Sequence, residues 1–273
     1  MISSLAAVSL VELLVGLVCL VIGAVAWGYR DRPGGTPLLL LSLAATGWAV
    51  TAGLASLVAD PGLTRWAQLA TYAFVGPTAV CWFYVAVEYT GRPAWKRRAV
   101  VAALVLLVAA EWVLLATDPV HHLYIAESSP LGPGGAFDPT PGALLWVGAV
   151  WKVGLVGLGI AILVGRFGAH QGVIRVQTMA VLVAGLLPVG AAILEVLDVV
   201  MVPGLDFGVI GVAASAGILL WALFYARFLD IVPVARETLM ESMADPVVAI
   251  DAEGRVVDLN DAAKDVFRVG DEA

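Results

Sequence analysis

Long apolar runs, separated by short polar or Gly/Pro-rich breaks, set the pattern of this chain. A helix crossing lipid needs about 20 mostly apolar residues, since each adds about 1.5 Å across a hydrocarbon core of roughly 30 Å. Seven stretches qualify: residues 4–28, 37–58, 66–89, 99–116, 143–165, 176–197 and 207–228. The longest break runs over 117–142 and the first over 30–36. The pattern predicts an all-α membrane protein, a seven-transmembrane helix bundle over residues 1–231. Pro77 and Pro188 fall inside the third and sixth runs. Each should kink its helix and free a carbonyl for a neighbouring group to satisfy.

Beyond residue 228 the pattern changes. Asp230-Ile231-Val232-Pro233 breaks the seventh helix, and Pro233 suits the first turn of a new one. A linker helix over 232–244 would carry Ala235, Leu239 and Met243 on one stripe, suited to a homodimer seam but too short for a coiled coil. From 245 to 273 two β-prone runs, 247–251 and 255–259, flank Ala252-Glu253-Gly254 and predict a β-hairpin. Asn260 then reads as the N-cap of a helix over 261–267. A hairpin with one short helix cannot bury a core. This C-terminal α+β piece is therefore expected to be truncated or to borrow the rest of a domain.

Composition agrees with membrane residence: 61% of the 273 residues are hydrophobic and 14% charged. Basic residues orient the bundle. The first connection carries Arg30 and Arg32, the third Arg92, Lys96, Arg97 and Arg98, and the fifth Arg166 and Arg175. The intervening connections hold only Arg65. Lys and Arg concentrate on the cytoplasmic side, which predicts an outside N-terminus and a cytoplasmic C-terminus in the cell membrane. Trp27, Tyr29, Trp66, Tyr89, Trp95, Trp112 and Tyr225 near span ends fit interfacial anchoring. The first run lacks a basic leader segment and is too long for a signal peptide, so it reads as a retained helix.

Of the net charge of −7, the segment from Arg236 onward holds −6, ten acidic residues against four basic ones. No basic stripe exists to bind nucleic acid. The acidic tail and only three lysines fit either a halophilic source or a GC-rich genome. Cys19 and Cys81 lie in apolar runs and read as small buried hydrophobes; two cysteines build neither a disulfide framework nor a metal cluster.

Ionisable groups inside the spans cost about 2.5–3.5 kcal/mol each on insertion scales and need a partner or a function. Glu12, Glu111, Lys152, Glu195 and Asp198 all fall in the half of the bilayer away from the arginine-rich connections. From helical rise, Glu12 and Glu111 lie about 10 Å and Lys152 about 13 Å from that edge. One lysine among carboxylates of similar depth is either a polar sensing pocket open to the outside or a structural ion pair; both need Lys152 to point inward. Glu88 is expected to pair with Arg92 one turn on. In the long connection, adjacent His121 and His122 cannot both face one ion from a regular helix, and no metal-ligand spacing is present. Its prolines (Pro130, Pro133, Pro139, Pro141) suggest an ordered lid.

Three strings carry a resemblance: Trp82-Phe83-Tyr84-Val85-Ala86-Val87-Glu88-Tyr89-Thr90-Gly91-Arg92, His121-His122-Leu123, and Ile231-Val232-Pro233-Val234-Ala235-Arg236. Over residues 4–235 the chain resembles the N-terminal seven-helix sensor region of histidine kinases. Met243-Ala244-Asp245-Pro246-Val247-Val248-Ala249-Ile250-Asp251, with Asp258-Leu259-Asn260-Asp261-Ala262-Ala263, resembles the opening of a PAS domain. This order is typical of haloarchaeal sensor kinases. The resemblance implies an archaeal two-component sensor that passes an external or intramembrane signal through Pro233, Arg236, Leu239 and Met243 to the PAS segment. From there it would reach a kinase core or response regulator, in cis or in trans. The three histidines, His121, His122 and His170, stand on no cytoplasmic dimerisation helix, and no glycine-rich ATP lid occurs, so no catalytic residue is expected. No cofactor is implied. A secondary transporter would explain embedded charges but not the linker and PAS opening. A rhodopsin would need a lysine in the seventh span, which has none.

Overall fold

The computed structural model describes residues 2–32, 34–58, 60–127, 140–167, 173–196, 205–225, 243–250 and 256–267; Glu195 is described by its backbone alone. It divides into a unit over 1–229 and a unit over 230–273.

In the first unit the seven apolar runs form α1 (Ile2–Trp27), α2 (Gly35–Ala55), α3 (Pro61–Thr90), α4 (Arg98–Ala116), α6 (Ala143–Phe167), α7 (Val173–Val196) and α8 (Phe207–Tyr225). Pro93–Lys96 is a 3₁₀ turn, and α5 (Asp118–His121) is one turn long. Six of the long helices have the length and apolarity to cross a membrane, and α8 is a shorter apolar helix of the same kind. Consecutive helices run up and down, as Gly16 against Val50 and Gly23 against Ser42 show for α1 and α2. The packing closes a ring, α1–α2–α3–α6–α7–α8–α1, with α4 outside it against α3.

The helices turn ordinary amphipathicity inside out. In α4 the buried residues are Glu111 and Leu115, while Val105, Leu106 and Val113 stand exposed on the surface that lipid would cover. In α1, Glu12 is 1% exposed while Leu10, Val11, Leu14 and Leu17 face outward. Hydrocarbon solvates leucine as well as a protein core does, so the polar groups and tight packing claim the interior.

Both prolines lie inside their helices, Pro77 in α3 and Pro188 in α7. Pro77 lacks the N–H that would bond the Ala73 carbonyl, and the Trp112 indole of α4 donates to that oxygen instead at 2.7 Å. Gly211 of α8 lies against Pro188; a Cβ there would fall 2.7 Å from the Pro188 Cα. Trp82, 4% exposed, fills the centre of the largest apolar cluster, together with Leu38, Val85, Leu163, Val181 and Leu219.

Helix ends depart from the apolar runs for identifiable reasons. The third run predicts a start at residue 66, but α3 begins at Pro61, because the Asp60 carboxylate caps it by accepting from the Leu63 N–H at 2.8 Å. Gly91, at φ 66°, ends it in the left-handed conformation. That turn overturns the expected Glu88–Arg92 pair, since Arg92 has left the helix. Glu88 instead pairs with Lys96 at 3.5 Å and accepts the Gly34 N–H at 2.5 Å.

The second unit holds antiparallel strands β1 (Val248–Ile250) and β2 (Val256–Leu259), then α9 (Asp261–Phe267). Val248 pairs with Leu259 and Ala249 with Asp258, and a bulge between Ala249 and Ile250 brings Ile250 opposite Val256. Asn260, 1% exposed, is the hub. Its Oδ1 caps α9 by accepting from Ala263 N–H at 2.9 Å and also takes the Val247 N–H at 2.8 Å. Its Nδ2 donates to the carbonyls of Asp245 (2.8 Å) and Met243 (3.2 Å). The hairpin turn at 252–254 and most of the linker expected over 232–244 lie outside the described residues.

Candidate functional site

The embedded charges fall into two clusters at the end of the bundle opposite the arginine-rich connections. The first gathers around Glu111 and Lys152. Lys152 Nζ lies 2.5 Å from Glu111 Oε1, and the two side chains are 13% and 4% exposed. Two glycines make room for the pair: a Cβ on Gly76 of α3 would sit 2.7 Å from Glu111 Oε2, and one on Gly148 of α6 would sit 3.3 Å from Lys152 Nζ. The ammonium also stands 5.5 Å from the centre of the Trp151 ring. Tyr124 completes the cluster by donating its hydroxyl to Glu111 Oε1 at 3.4 Å.

Tyr124 comes from the long connection. Residues 123–126 pair with 140–144 through Gly142 N–H to Tyr124 O (2.9 Å) and Ala126 N–H to Thr140 O (3.0 Å), while Pro130, Pro133 and Pro139 of the expected lid lie outside the described residues. This short ribbon pushes Tyr124 and Ile125, 3% and 0% exposed, between Leu69 and Leu115. Arg65 fastens it from α3. Its guanidinium donates to Asp118 Oδ2 (2.7 Å) and to the carbonyls of Ile125 (2.5 Å) and Ala126 (3.3 Å), and contacts His122 Nδ1 at 2.8 Å. Asp118, fully buried, accepts the Tyr124 N–H through Oδ1 at 2.7 Å. Burial first, and then the charge of Glu111, push the Tyr124 hydroxyl above its ordinary range. Arg65, Asp118, Tyr124, Glu111 and Lys152 thus form one continuous polar chain from the loop into the bundle.

The second cluster joins α1, α2 and α8. Glu12 Oε2 accepts the Ser56 hydroxyl at 3.2 Å, and Oε1 accepts the Asp206 N–H at 3.2 Å. Asp206 caps α8 through Val209 N–H (3.2 Å) and accepts the Trp48 indole at 2.9 Å. Burial raises the Asp206 carboxyl above its ordinary value, against Trp48 and the Val209 and Gly208 amides, which lower it. No cation contacts this cluster among the described residues.

Of the five embedded charges singled out by depth, the structure brings Glu111 and Lys152 together and holds Glu12 apart, because α1 packs on α2 and α8 while α6 packs on α3 and α7. The Glu195 side chain and Asp198 lie outside the described residues, as do Pro233, Arg236 and Leu239 of the linker; Met243 is half-exposed. His121 and His122 stand beside Asp118 and Arg65 respectively. Among the described residues no group of three or more His, Cys, Asp or Glu could hold a metal. Asp118, Tyr124 and Asp206 are not visible as site residues from the sequence because they sit in connections. Arg65, the one basic residue in the even-numbered connections, is the available clue to a buried partner.

This bundle, with its buried polar chain and apolar outer surface, defines a multi-pass membrane protein. Residues 11–233 match the family described as the N-terminal 7TM region of histidine kinase, and the chain belongs to that family. Residues 237–273 match a PAS domain. No curated protein matches the chain.

Proposed function

We propose that this chain is the input half of a two-component system, in which the bundle receives an external or intramembrane stimulus and α8 carries it to the PAS segment. The supporting observation is that a seven-helix sensor match and a PAS match follow one another within a few residues on one chain. The domains would divide as 1–231 for the sensor, 232–244 for a signalling linker and 245–273 for the PAS opening. The linker would pair two copies through Leu239 and Met243, with Pro233 and Arg236 at its membrane end. Output would pass to a kinase core or response regulator, on this polypeptide or another. Phosphoryl transfer would belong to that core. The arginine-rich connections would face the cytoplasm, and the acidic, lysine-poor tail would fit an archaeal, high-salt cell.

Within the bundle, the Glu111–Lys152 pair and the Tyr124 ribbon form the receiving site, since a stimulus that displaces the ribbon must change the environment of the pair. Two measurements test this. Single cysteines placed over 95–98 should resist a membrane-impermeant maleimide on intact cells, whereas cysteines over 120–123 should react; the reverse overturns the orientation. Phosphorylation of the coupled kinase core should lose its stimulus dependence in Lys152→Met, and an unchanged response rejects the pair as the receiving site.

A further inference from the structure

The Glu12 cluster poses a charge problem that the Glu111 cluster does not. Glu12 is 1% exposed, and its donors are a neutral hydroxyl and a neutral backbone amide at 3.2 Å each. The amide belongs to Asp206, itself a carboxylate. The elements around them offer nothing to neutralise two negative charges. Residues 2–27 of α1, 35–55 of α2 and 207–225 of α8 contain no Lys, Arg or His, and neither does the connection 197–206. The short connection after α2, residues 56–60, holds no Lys, Arg or His either, and Arg65 near the start of α3 is committed to Asp118 and the ribbon. Asp60 in that connection caps α3. The other titratable groups on these elements are Cys19 of α1, which packs in the apolar cluster with Trp48, Tyr225 at the far end of α8, and the chain's α-amino group. Glu195 of α7 and Asp198 in the connection after it would add only negative charge.

Two like charges at low dielectric cannot both ionise cheaply. We infer that Glu12 and Asp206 together hold one proton, and that this shared proton latches the start of α8 to α1 and α2. The bonds give the latch its mechanical meaning. Glu12 holds the backbone at Asp206, Asp206 holds Trp48 of α2 and caps α8, and Ser56 at the end of α2 returns to Glu12. Three helices meet at one proton-dependent node, and one of them is the last described helix before the PAS match. The folded state keeps a proton that the unfolded chain releases. The latch is therefore complete at low pH and is lost as pH rises through the titration of the pair. The inference concerns the charge state of the bundle alone and stands whether or not α8 signals to a kinase.

The test uses the full chain in lipid nanodiscs, followed by pH-difference infrared spectroscopy and by thermal unfolding. The wild-type protein should show a protonated-carboxyl band that disappears as pH rises, with a parallel fall in the unfolding midpoint. Glu12→Gln should lose the band and keep a pH-independent midpoint over the same range. Asp206→Asn should retain the band but release its proton at lower pH, because the like charge is gone. A wild-type band that never titrates, or one that persists unchanged in Glu12→Gln, overturns the inference. Should Asp206→Asn fail to fold, Glu12→Gln alone decides it.

Discussion

The Glu111 and Glu12 clusters answer the same physical problem in opposite ways. Both place a carboxylate at about the same depth of the same end of one bundle, on helices whose other faces are apolar. Glu111 is neutralised by a lysine at 2.5 Å, fitted into space left by two glycines, and fastened from the loop by Tyr124. Glu12 has only neutral donors and a second acid beside it. A compensated pair is fixed by its own Coulomb attraction and resists changes of medium, whereas an uncompensated pair must bind something, and a proton is the smallest thing available. The Glu111 pair is thus a permanent electrostatic joint, between α4 and α6, and the Glu12 pair a conditional one, at the start of α8.

The largest expected effect comes from unbalancing the permanent joint. Lys152→Met should destabilise the bundle by about 3–5 kcal/mol, because it strands a buried carboxylate. The double change Lys152→Met with Glu111→Gln should recover most of that loss in detergent unfolding curves. Failure of the double variant to recover would show that the pair is more than charge balance. Asp118→Asn should cost less, about 1.5–3 kcal/mol, through the charged hydrogen bonds with Arg65; limited proteolysis should then cut the 118–126 ribbon faster. Trp112→Phe removes the indole that replaces the missing Pro77 N–H and should cost about 1 kcal/mol. Combining it with Pro77→Ala should restore the loss, since that substitution supplies a backbone N–H for the Ala73 carbonyl. In the second unit Asn260→Ala should cost about 1 kcal/mol as a lost cap, and hydrogen exchange should speed up at the Val247 and Ala263 amides while the bundle amides stay unchanged.

The hairpin shows how much local pattern can carry. Two β-prone runs and an asparagine before Asp261 are enough to place β1, β2 and the cap of α9, because pairing of strands close in sequence and capping are short-range events. The bulge at Ala249–Ile250 was not legible, since it depends on which residue of β2 each partner meets. The same divide appears at Glu88. Its charge is visible in sequence, but its partner depends on Gly91 turning Arg92 away and bringing Lys96 and Gly34 within reach.

The amino-acid sequence alone determined the seven apolar helices, the segregation of arginines to alternate connections, and the fact that acids and one lysine had to be buried. Each of these follows from the energy of one segment against lipid or water, and needs no knowledge of neighbours. Only the tertiary structure decided which acid meets the lysine. Depth along a helix axis is fixed by counting residues, but angular position around the ring is fixed by packing, and that put α6 beside α3 and left Glu12 with α2 and α8. It also drew Tyr124 and Ile125 out of a connection and into the bundle, because the gap between Leu69 and Leu115 that receives them exists only once the helices have assembled.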